Sequence, residues 1–122
     1  VVGDSPRILG LGVDLEKANR TIDLRIESHI CTQDESEDLH TLHLENRAVR
    51  LLLTFSAKES LYKCYFGKIP RNLLRFKNVS LKWESSKWTA HWEFPLGTEF
   101  SLDATIGYWG IDQNWLWTIC WR

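Results

Sequence analysis

Alternation of large apolar residues with polar ones dominates the last third of the chain, from Val79 to Arg122. All seven tryptophans fall there: Trp83, Trp88, Trp92, Trp109, Trp115, Trp117 and Trp121. A period of two places every second side chain on one face of a β-strand. The pattern predicts strands over residues 78–84, 87–94, 100–108 and 115–121, with the aromatic residues on the buried face. Short turns join these strands, so we expect an antiparallel meander.

The first two thirds of the chain also alternate, although less regularly. We predict a weak or edge strand over residues 8–15, then strands over 21–31, 39–44, 48–57 and 61–66, after an irregular lead-in at residues 1–6. Residues 70–76 are the only helical candidate, because Pro70 suits a first helical turn. About eight strands at a spacing near ten residues favour an all-β fold, an antiparallel β-sandwich with at most one short helix. A closed β-barrel is the alternative.

Length and composition indicate one folded domain. The chain has 122 residues, 43% of them hydrophobic and 25% charged, and it contains no methionine. We therefore expect a single β-sandwich domain over residues 1–122, excised from a longer protein. No apolar stretch approaches the ~20 residues that span a bilayer, so we expect no membrane partner.

The cysteines bear on the compartment. There are three cysteines, which is an odd number, and none forms a C-x-x-C pair. Free thiols in a reducing compartment are the first interpretation, and one disulfide with a free thiol is the alternative. The odd count, with no visible signal peptide, favours the cytoplasm.

Charge is divided unevenly between the two halves of the chain. Residues 1–60 carry 11 acids and 7 bases, whereas residues 61–122 carry 5 acids and 8 bases. The bases concentrate in residues 63–87: Lys63, Lys68, Arg71, Arg75, Lys77, Lys82 and Lys87. These residues are our candidates for an anion-binding or partner-binding surface, with a solvated surface as the alternative. Aromatic residues between the bases also allow single-stranded nucleic-acid binding.

One loop has the composition of a site for a hydroxyl-rich ligand. Trp109 falls out of phase with the strand before it, and polar side chains follow it closely. An aromatic face beside carboxylate and amide groups is typical of carbohydrate sites. The candidate ligand-binding residues are Trp109, Asp112, Gln113, Asn114 and Trp115. An aromatic corner packed on the sheet is the alternative interpretation.

No catalytic or metal-binding motif is present. The sequence has no G-x-S-x-G, no H-E-x-x-H and no P-loop, and we predict no enzyme activity, no metal and no cofactor. The first functional hypothesis is a non-catalytic interaction module of a larger protein, which binds another protein or a neighbouring domain of its own chain. A carbohydrate-binding module is the second hypothesis, with a glycan as the possible partner. Single-stranded nucleic-acid binding through residues 63–87 is the third and least favoured.

Overall fold

A computed structural model describes residues 7–122 as three helices and five strands. The expected lead-in at residues 1–6 lies outside the described residues. The strands are β1 (Leu11–Lys17), β2 (Val79–Glu84), β3 (Lys87–Trp92), β4 (Thr105–Asp112) and β5 (Trp115–Trp121). The helices are α1 (Glu27–Ile30), α2 (Gln33–His40) and α3 (Leu44–Tyr65), and single 3-10 turns cover Leu24–Ile26, Arg71–Leu73 and Phe76–Asn78.

The five strands form one antiparallel sheet in the order β1-β5-β4-β3-β2. The meander expected for the last four strands is confirmed, and β1 completes the sheet as an edge strand beside β5. Helix α3 lies across one face of the sheet, against β1 and β5, while α2 contacts α3 and β2. The fold is therefore mixed α/β, with helices on one face of a single sheet. Within the described residues, no helix is long and apolar enough to span a membrane.

The β-sandwich prediction is wrong, and α3 is the main reason. Its 22 residues include the segment that we predicted as a strand over 48–57 and all but the last residue of the strand predicted over 61–66. The helix is buried on several sides, because Leu51, Leu52 and Leu53 are all inaccessible to solvent. The sequence of a helix that is buried on several sides lacks the one-sided apolar pattern that repeats every 3.6 residues. A short apolar run in such a helix then resembles a strand.

The strand predicted over residues 39–44 is also wrong, because α2 ends at His40 and α3 begins at Leu44. Residues 33–40 form α2, which begins at a capping box. The Thr32 hydroxyl accepts a hydrogen bond from the Glu35 backbone N–H, and the Glu35 carboxylate accepts one from the Thr32 N–H, at 2.8 Å. This reciprocal pair satisfies two backbone donors that a helix start leaves free. The strand predicted over 21–31 is replaced by a 3-10 turn and α1.

The sheet faces also differ from the prediction in β4 and β5. Leu116, Thr118 and Cys120 face the helices and are fully buried, whereas Trp115 and Trp121 on the other face are 43% and 45% exposed. In β4 the buried residues are Thr105 and Gly107, and the missing side chain of Gly107 leaves room for the indole of buried Trp88. β2 and β3 direct their tryptophans toward the core as predicted, and Trp109 of β4 also packs against it.

A buried ion pair joins α3 to the elements around it. The Lys58 side chain is 1% exposed, and its Nζ donates to the Glu35 carboxylate at 2.6 Å. The same Nζ donates to the carbonyls of Ile30 at 2.6 Å and Phe76 at 2.7 Å. The second oxygen of Glu35 accepts from the Leu81 N–H at 2.9 Å. Every polar group of this pair is therefore matched, as burial of charge requires.

Candidate active site

Close contact between β1 and α3 creates the site. Gly12 faces α3, and a Cβ atom at this position would overlap the Ser60 carbonyl oxygen. Only glycine permits this separation without displacing backbone. Asp14 lies two residues further along β1, so its side chain points to the same inner face. The strand therefore presents a carboxylate directly to the helix.

The Asp14 carboxylate is mostly buried, with 12% of its side chain exposed. Its Oδ1 lies 3.4 Å from Lys63 Nζ, which also donates to the Val13 carbonyl at 2.8 Å. Its Oδ2 is a buried oxygen with no hydrogen-bond partner, and no other buried side-chain atom of residues 7–122 is in that condition. A buried acceptor normally has a partner, so Oδ2 is placed to receive a ligand.

Glu59 supplies the second carboxylate. Glu59 and Lys63 are four residues apart on α3 and therefore share one helix face. Burial raises the pKa of the Glu59 carboxyl above its usual range, and the neighbouring Asp14 charge raises it further, while Lys63 opposes both effects. These interactions show that the three charged groups lie within electrostatic range of one another.

Glu16 continues the acidic face of β1. It lies two residues beyond Asp14, and its charge also contributes to the raised pKa of Glu59. Its Oε2 accepts from Arg20 Nη1 at 2.8 Å. The Arg20 guanidinium in turn lies over the Phe55 ring, 5.5 Å from the centroid. Arg20 therefore holds Glu16 at the rim of the site and offsets part of the negative charge.

Buried hydroxyl groups fix α3 on the sheet beside this cluster. Thr118 Oγ1 on β5 is hydrogen-bonded to Ser56 Oγ at 2.9 Å and to Ser60 Oγ at 2.6 Å. Ser60 directly follows Glu59, so these hydrogen bonds fix the position and orientation of α3 relative to β5 next to the Glu59 carboxylate. The sites of greatest precision in proteins rest on such rigid elements.

The arrangement suits chemistry on a phosphate group. Two carboxylates with a nearby lysine resemble the sites in which Mg²⁺ is bound by one or two carboxylates and by substrate phosphates. Among residues 7–122, no group of three or more His, Cys, Asp and Glu side chains is arranged to hold a metal ion. Any divalent cation here would therefore share its coordination with substrate and water. The unpartnered Asp14 oxygen, the Glu59 carboxylate and Lys63 are therefore compatible with a cation and a phosphate-bearing ligand.

Comparison with known proteins identifies the family. Residues 10–120 match the model of the 4'-phosphopantetheinyl transferase superfamily. Because the match extends over nearly the whole chain, the protein belongs to this superfamily. No curated protein sequence matches the chain significantly.

Two solved structures share the fold. The holo-[acyl-carrier-protein] synthase of Thermotoga maritima superposes with a TM-score of 0.72 at 16% identity, and the match covers 94% of this chain and 63% of that chain. The holo-(acyl-carrier-protein) synthase of Bacillus anthracis, in complex with CoA (3',5'-ADP), gives a TM-score of 0.61 at 16% identity, with coverage of 94% and 97%. This chain thus spans less than two thirds of the Thermotoga protein.

These findings overturn the functional hypotheses drawn from the sequence. Members of a transferase superfamily are enzymes, so the prediction of a non-catalytic interaction module is wrong. The carbohydrate-binding and nucleic-acid-binding alternatives are wrong for the same reason. The expected partners, a generic protein or neighbouring domain and a glycan, are corrected by the same family match, which is to a 4'-phosphopantetheinyl transferase superfamily.

The structure does not gather the predicted ligand-binding residues on one face. Trp109 faces the helix side, where its Nε1 donates to the Ser85 carbonyl at 2.8 Å and its ring packs edge-on against Trp83 at 6.3 Å. Trp115 faces the opposite side of the sheet, paired in register with Asp112. Gln113 and Asn114 form the tight turn between β4 and β5, with Gln113 at φ 54°.

The bases of the predicted basic surface lie in four separate places. Lys63 belongs to the carboxylate site just described. Arg75 and Lys77 line a groove beside α3, while Lys82 and Lys87 lie on β2 and β3. Lys68 and Arg71 are exposed between α3 and β2.

Sequence reasoning missed Asp14 and Glu59. Asp14 lay in the weak strand predicted over residues 8–15 and Glu59 lay between two predicted strands, and their charges gave no reason to connect them. Two signals were available: Asp14 and Glu16 alternate as strand neighbours do, and Glu59 and Lys63 have helical spacing. The second signal has meaning only once residues 44–65 are recognised as a helix.

Proposed function

We propose that this chain transfers the 4'-phosphopantetheine group of CoA to a hydroxyl group of a carrier protein. The family match over residues 10–120 carries this proposal, and the relatives named as holo-acyl-carrier-protein synthases support the choice of donor and acceptor. In the reaction, the acceptor oxygen bonds to the phosphorus next to pantetheine. The pyrophosphate P–O bond breaks, 3',5'-ADP leaves, and the hydroxyl proton passes to water.

The residues present fit a bound magnesium ion. The unpartnered Asp14 Oδ2 is an oxygen ligand of the kind that Mg²⁺ prefers, and Glu59 offers a second on the facing helix. When bound, the ion would neutralise charge on the pyrophosphate and polarise the phosphorus. Asp14 and Glu59 would hold it between strand and helix.

Lys63 is suited to contact the donor phosphates. Its side chain is 54% exposed, so the ammonium group can turn from Asp14 toward a ligand without leaving a buried site. Lysine binds phosphate as a compact point charge. Its hydrogen bond to the Val13 carbonyl keeps the ammonium group near the carboxylates. Phosphate bound there would lie beside both Lys63 and the cation.

Mass spectrometry of the acceptor tests the proposal. Apo-acyl carrier protein incubated with this chain, CoA and Mg²⁺ is expected to gain one phosphopantetheine group, and EDTA is expected to prevent the gain. The variants Asp14→Asn and Glu59→Gln should each lower the transfer rate by roughly 100-fold or more. Glu99→Gln is the matched control, since Glu99 is exposed and lies outside the site.

Two results would contradict the proposal. Failure of the unaltered chain to modify the acceptor, with Mg²⁺ and CoA in excess, would refute the assigned reaction. Retention of full activity by either Asp14→Asn or Glu59→Gln would refute the assigned site. Equal losses in Glu99→Gln would show that the effect is not specific to these carboxylates.

A further inference from the structure

Thr118 lies at the centre of the sheet, on the strand between β1 and β4. In register, it is opposite Asp14 of β1 and Trp109 of β4. Its side chain is fully buried and faces α3, like those of Leu116 and Cys120 on the same strand. Side chains directly opposite each other in an antiparallel pair have Cβ atoms about 4.5–5.5 Å apart. Thr118 is therefore the immediate neighbour of the Asp14 carboxylate on the inner face of the sheet.

The Thr118 hydroxyl joins the sheet to two successive turns of α3. Its Oγ1 is hydrogen-bonded to Ser56 Oγ at 2.9 Å and to Ser60 Oγ at 2.6 Å, and Ser60 Oγ also donates to the Thr118 carbonyl at 3.3 Å. All three side chains are inaccessible to solvent. Loss of this hydroxyl would leave two buried serine hydroxyls without it as a partner, and buried polar groups without partners are costly. The helix therefore depends on this contact for its position over the sheet.

The same contact connects the two carboxylates of the candidate site. Ser60 directly follows Glu59, and successive residues of a helix are turned by about 100°. The face of α3 that carries Glu59 lies over β1, since Lys63, four residues further on, donates to a β1 carbonyl at 2.8 Å. Asp14 and Glu59 are thus connected through one strand pairing, the hydroxyl contact between Thr118 and Ser60, and one peptide bond.

We propose that Thr118 is a positioning residue, whose hydroxyl sets the separation of Asp14 and Glu59 and thereby the affinity of the site for its divalent cation. Thr118 acts through its neighbours, because its hydroxyl is bonded to the two serines while Asp14 Oδ2 has no hydrogen-bond partner. Groups that orient metal ligands without touching the metal typically change metal affinity by about 10–100-fold when they are mutated. The inference rests on the proposed function.

Mn²⁺ binding to the full chain measures this effect without the reaction. Mn²⁺ takes the same oxygen ligands as Mg²⁺, and loss of the free-ion signal in electron paramagnetic resonance reports its binding with CoA present and acceptor absent. Thr118→Val removes the hydroxyl but keeps the size and the β-branch of the side chain. We expect it to raise the Kd for Mn²⁺ by about tenfold or more, whereas Thr118→Ser, which retains the hydroxyl, should stay within about threefold.

Thr105→Val is the matched control for a purely structural effect. Thr105 is also a buried threonine of the sheet, and its hydroxyl is hydrogen-bonded to Tyr65 Oη and Trp92 Nε1. It lies on β4, two strands away from β1. Thr105→Val should lower the midpoint of urea unfolding as Thr118→Val does, but it should leave the Kd for Mn²⁺ within about twofold of the unaltered chain.

Two further measurements extend the test. In the transfer assay, Thr118→Val should raise the Mg²⁺ concentration for half-maximal rate by about tenfold, with the KM for apo-acyl carrier protein within about twofold of the unaltered value. Ser60→Ala removes the contact from the helix side and leaves Thr118 bonded to Ser56. It should raise the Kd for Mn²⁺ by about threefold or more, and it decides the question if Thr118→Val does not fold.

Four results would overturn the role of Thr118. They are Mn²⁺ binding by Thr118→Val as tight as that of the unaltered chain, the same result for Ser60→Ala if the valine variant does not fold, equal weakening in Thr118→Ser, and equal weakening in Thr105→Val. A chain that binds Mn²⁺ but never modifies the acceptor would refute the proposed function, and Mn²⁺ binding would still decide the role of Thr118. If the unaltered chain binds no Mn²⁺, the role of Thr118 is refuted and the transfer assay alone decides the reaction.

Discussion

Replacing Lys58 with methionine would test the buried ion pair that supports α3. The substitution keeps most of the side-chain volume but removes the ammonium group, which leaves the Glu35 carboxylate buried beside two unpaired carbonyls. Removal of one partner from a buried pair costs about 3–5 kcal/mol. A domain of this size has a total stability of about 5–15 kcal/mol, so we expect a large part of the stability to be lost.

Urea unfolding followed by tryptophan fluorescence measures this loss directly. With a slope of about 1.5 kcal/mol per molar urea, the expected cost lowers the midpoint by about 2–3 M. Lys82→Met is the control, because Lys82 is exposed on β2, and its effect should stay within about 0.5 kcal/mol. The double variant Lys58→Met/Glu35→Gln should recover at least about 1 kcal/mol, since it removes the uncompensated charge.

A small effect would refute this reasoning. If Lys58→Met costs less than about 1 kcal/mol, or if Lys82→Met costs as much, then the pair does not hold α3 against its neighbours. If the double variant is less stable than Lys58→Met by the full cost of Glu35→Gln, then the two residues act independently.

Three further predictions concern single positions. Because the folded-state pKa of the Glu59 carboxyl is raised, its protonated form stabilises the fold at low pH, and this contribution is lost as pH rises through that pKa. Differential scanning fluorimetry should therefore show that Glu59→Gln raises Tm by up to about 3 °C at pH 7, with a smaller rise at pH 4. An equal change in Tm at both pH values would contradict the upward direction of the Glu59 pKa shift. Gly12→Ala places a methyl group against the Ser60 carbonyl and should lower the free energy of unfolding in urea by about 3 kcal/mol or more. Gly67→Ala, where only the positive φ is strained, should lower it by about 1–2 kcal/mol. Equal losses would show that α3 can move away from β1 to make room. Burial raises the pKa of the Cys31 thiol to about 12, so this thiol should react with Ellman's reagent at pH 8 only after denaturation, and prompt reaction in the native protein would place it at the surface.

The sheet was partly predictable in its second half because the connections at residues 85–86 and 113–114 are tight turns. Residues 93–104 form a longer connection, and β4 lies at Thr105–Asp112 where we predicted a strand over 100–108. Residues 79–84, 87–92 and 115–121 form strands close to the expected positions. Which face of β5 is buried was not predictable from residue size. Small Cys120 and Thr118 face inward because α3 approaches the sheet closely there, and the indoles of Trp115 and Trp121 face outward.

The helices were missed because strand-like alternation was weighed above helix propensity. Residues 44–65 are rich in Leu, Ala, Lys, Glu and Arg, which favour helices, and Thr32 with Glu35 has the spacing of a capping box. These local signals were present. The candidate site was harder to predict, because Asp14 and Glu59 meet only through the packing of β1 on α3.

Both the packing of β1 on α3 and the geometry of the candidate site depend on glycine at position 12. Any larger residue there would push the helix away from the strand, and the gap between Asp14 and Glu59 would widen by the same movement. Under the proposed function, a substitution at position 12 would therefore also separate the two carboxylates that are proposed to hold the cation. A change that a stability screen would record as a packing defect would, in this protein, also disable the chemistry.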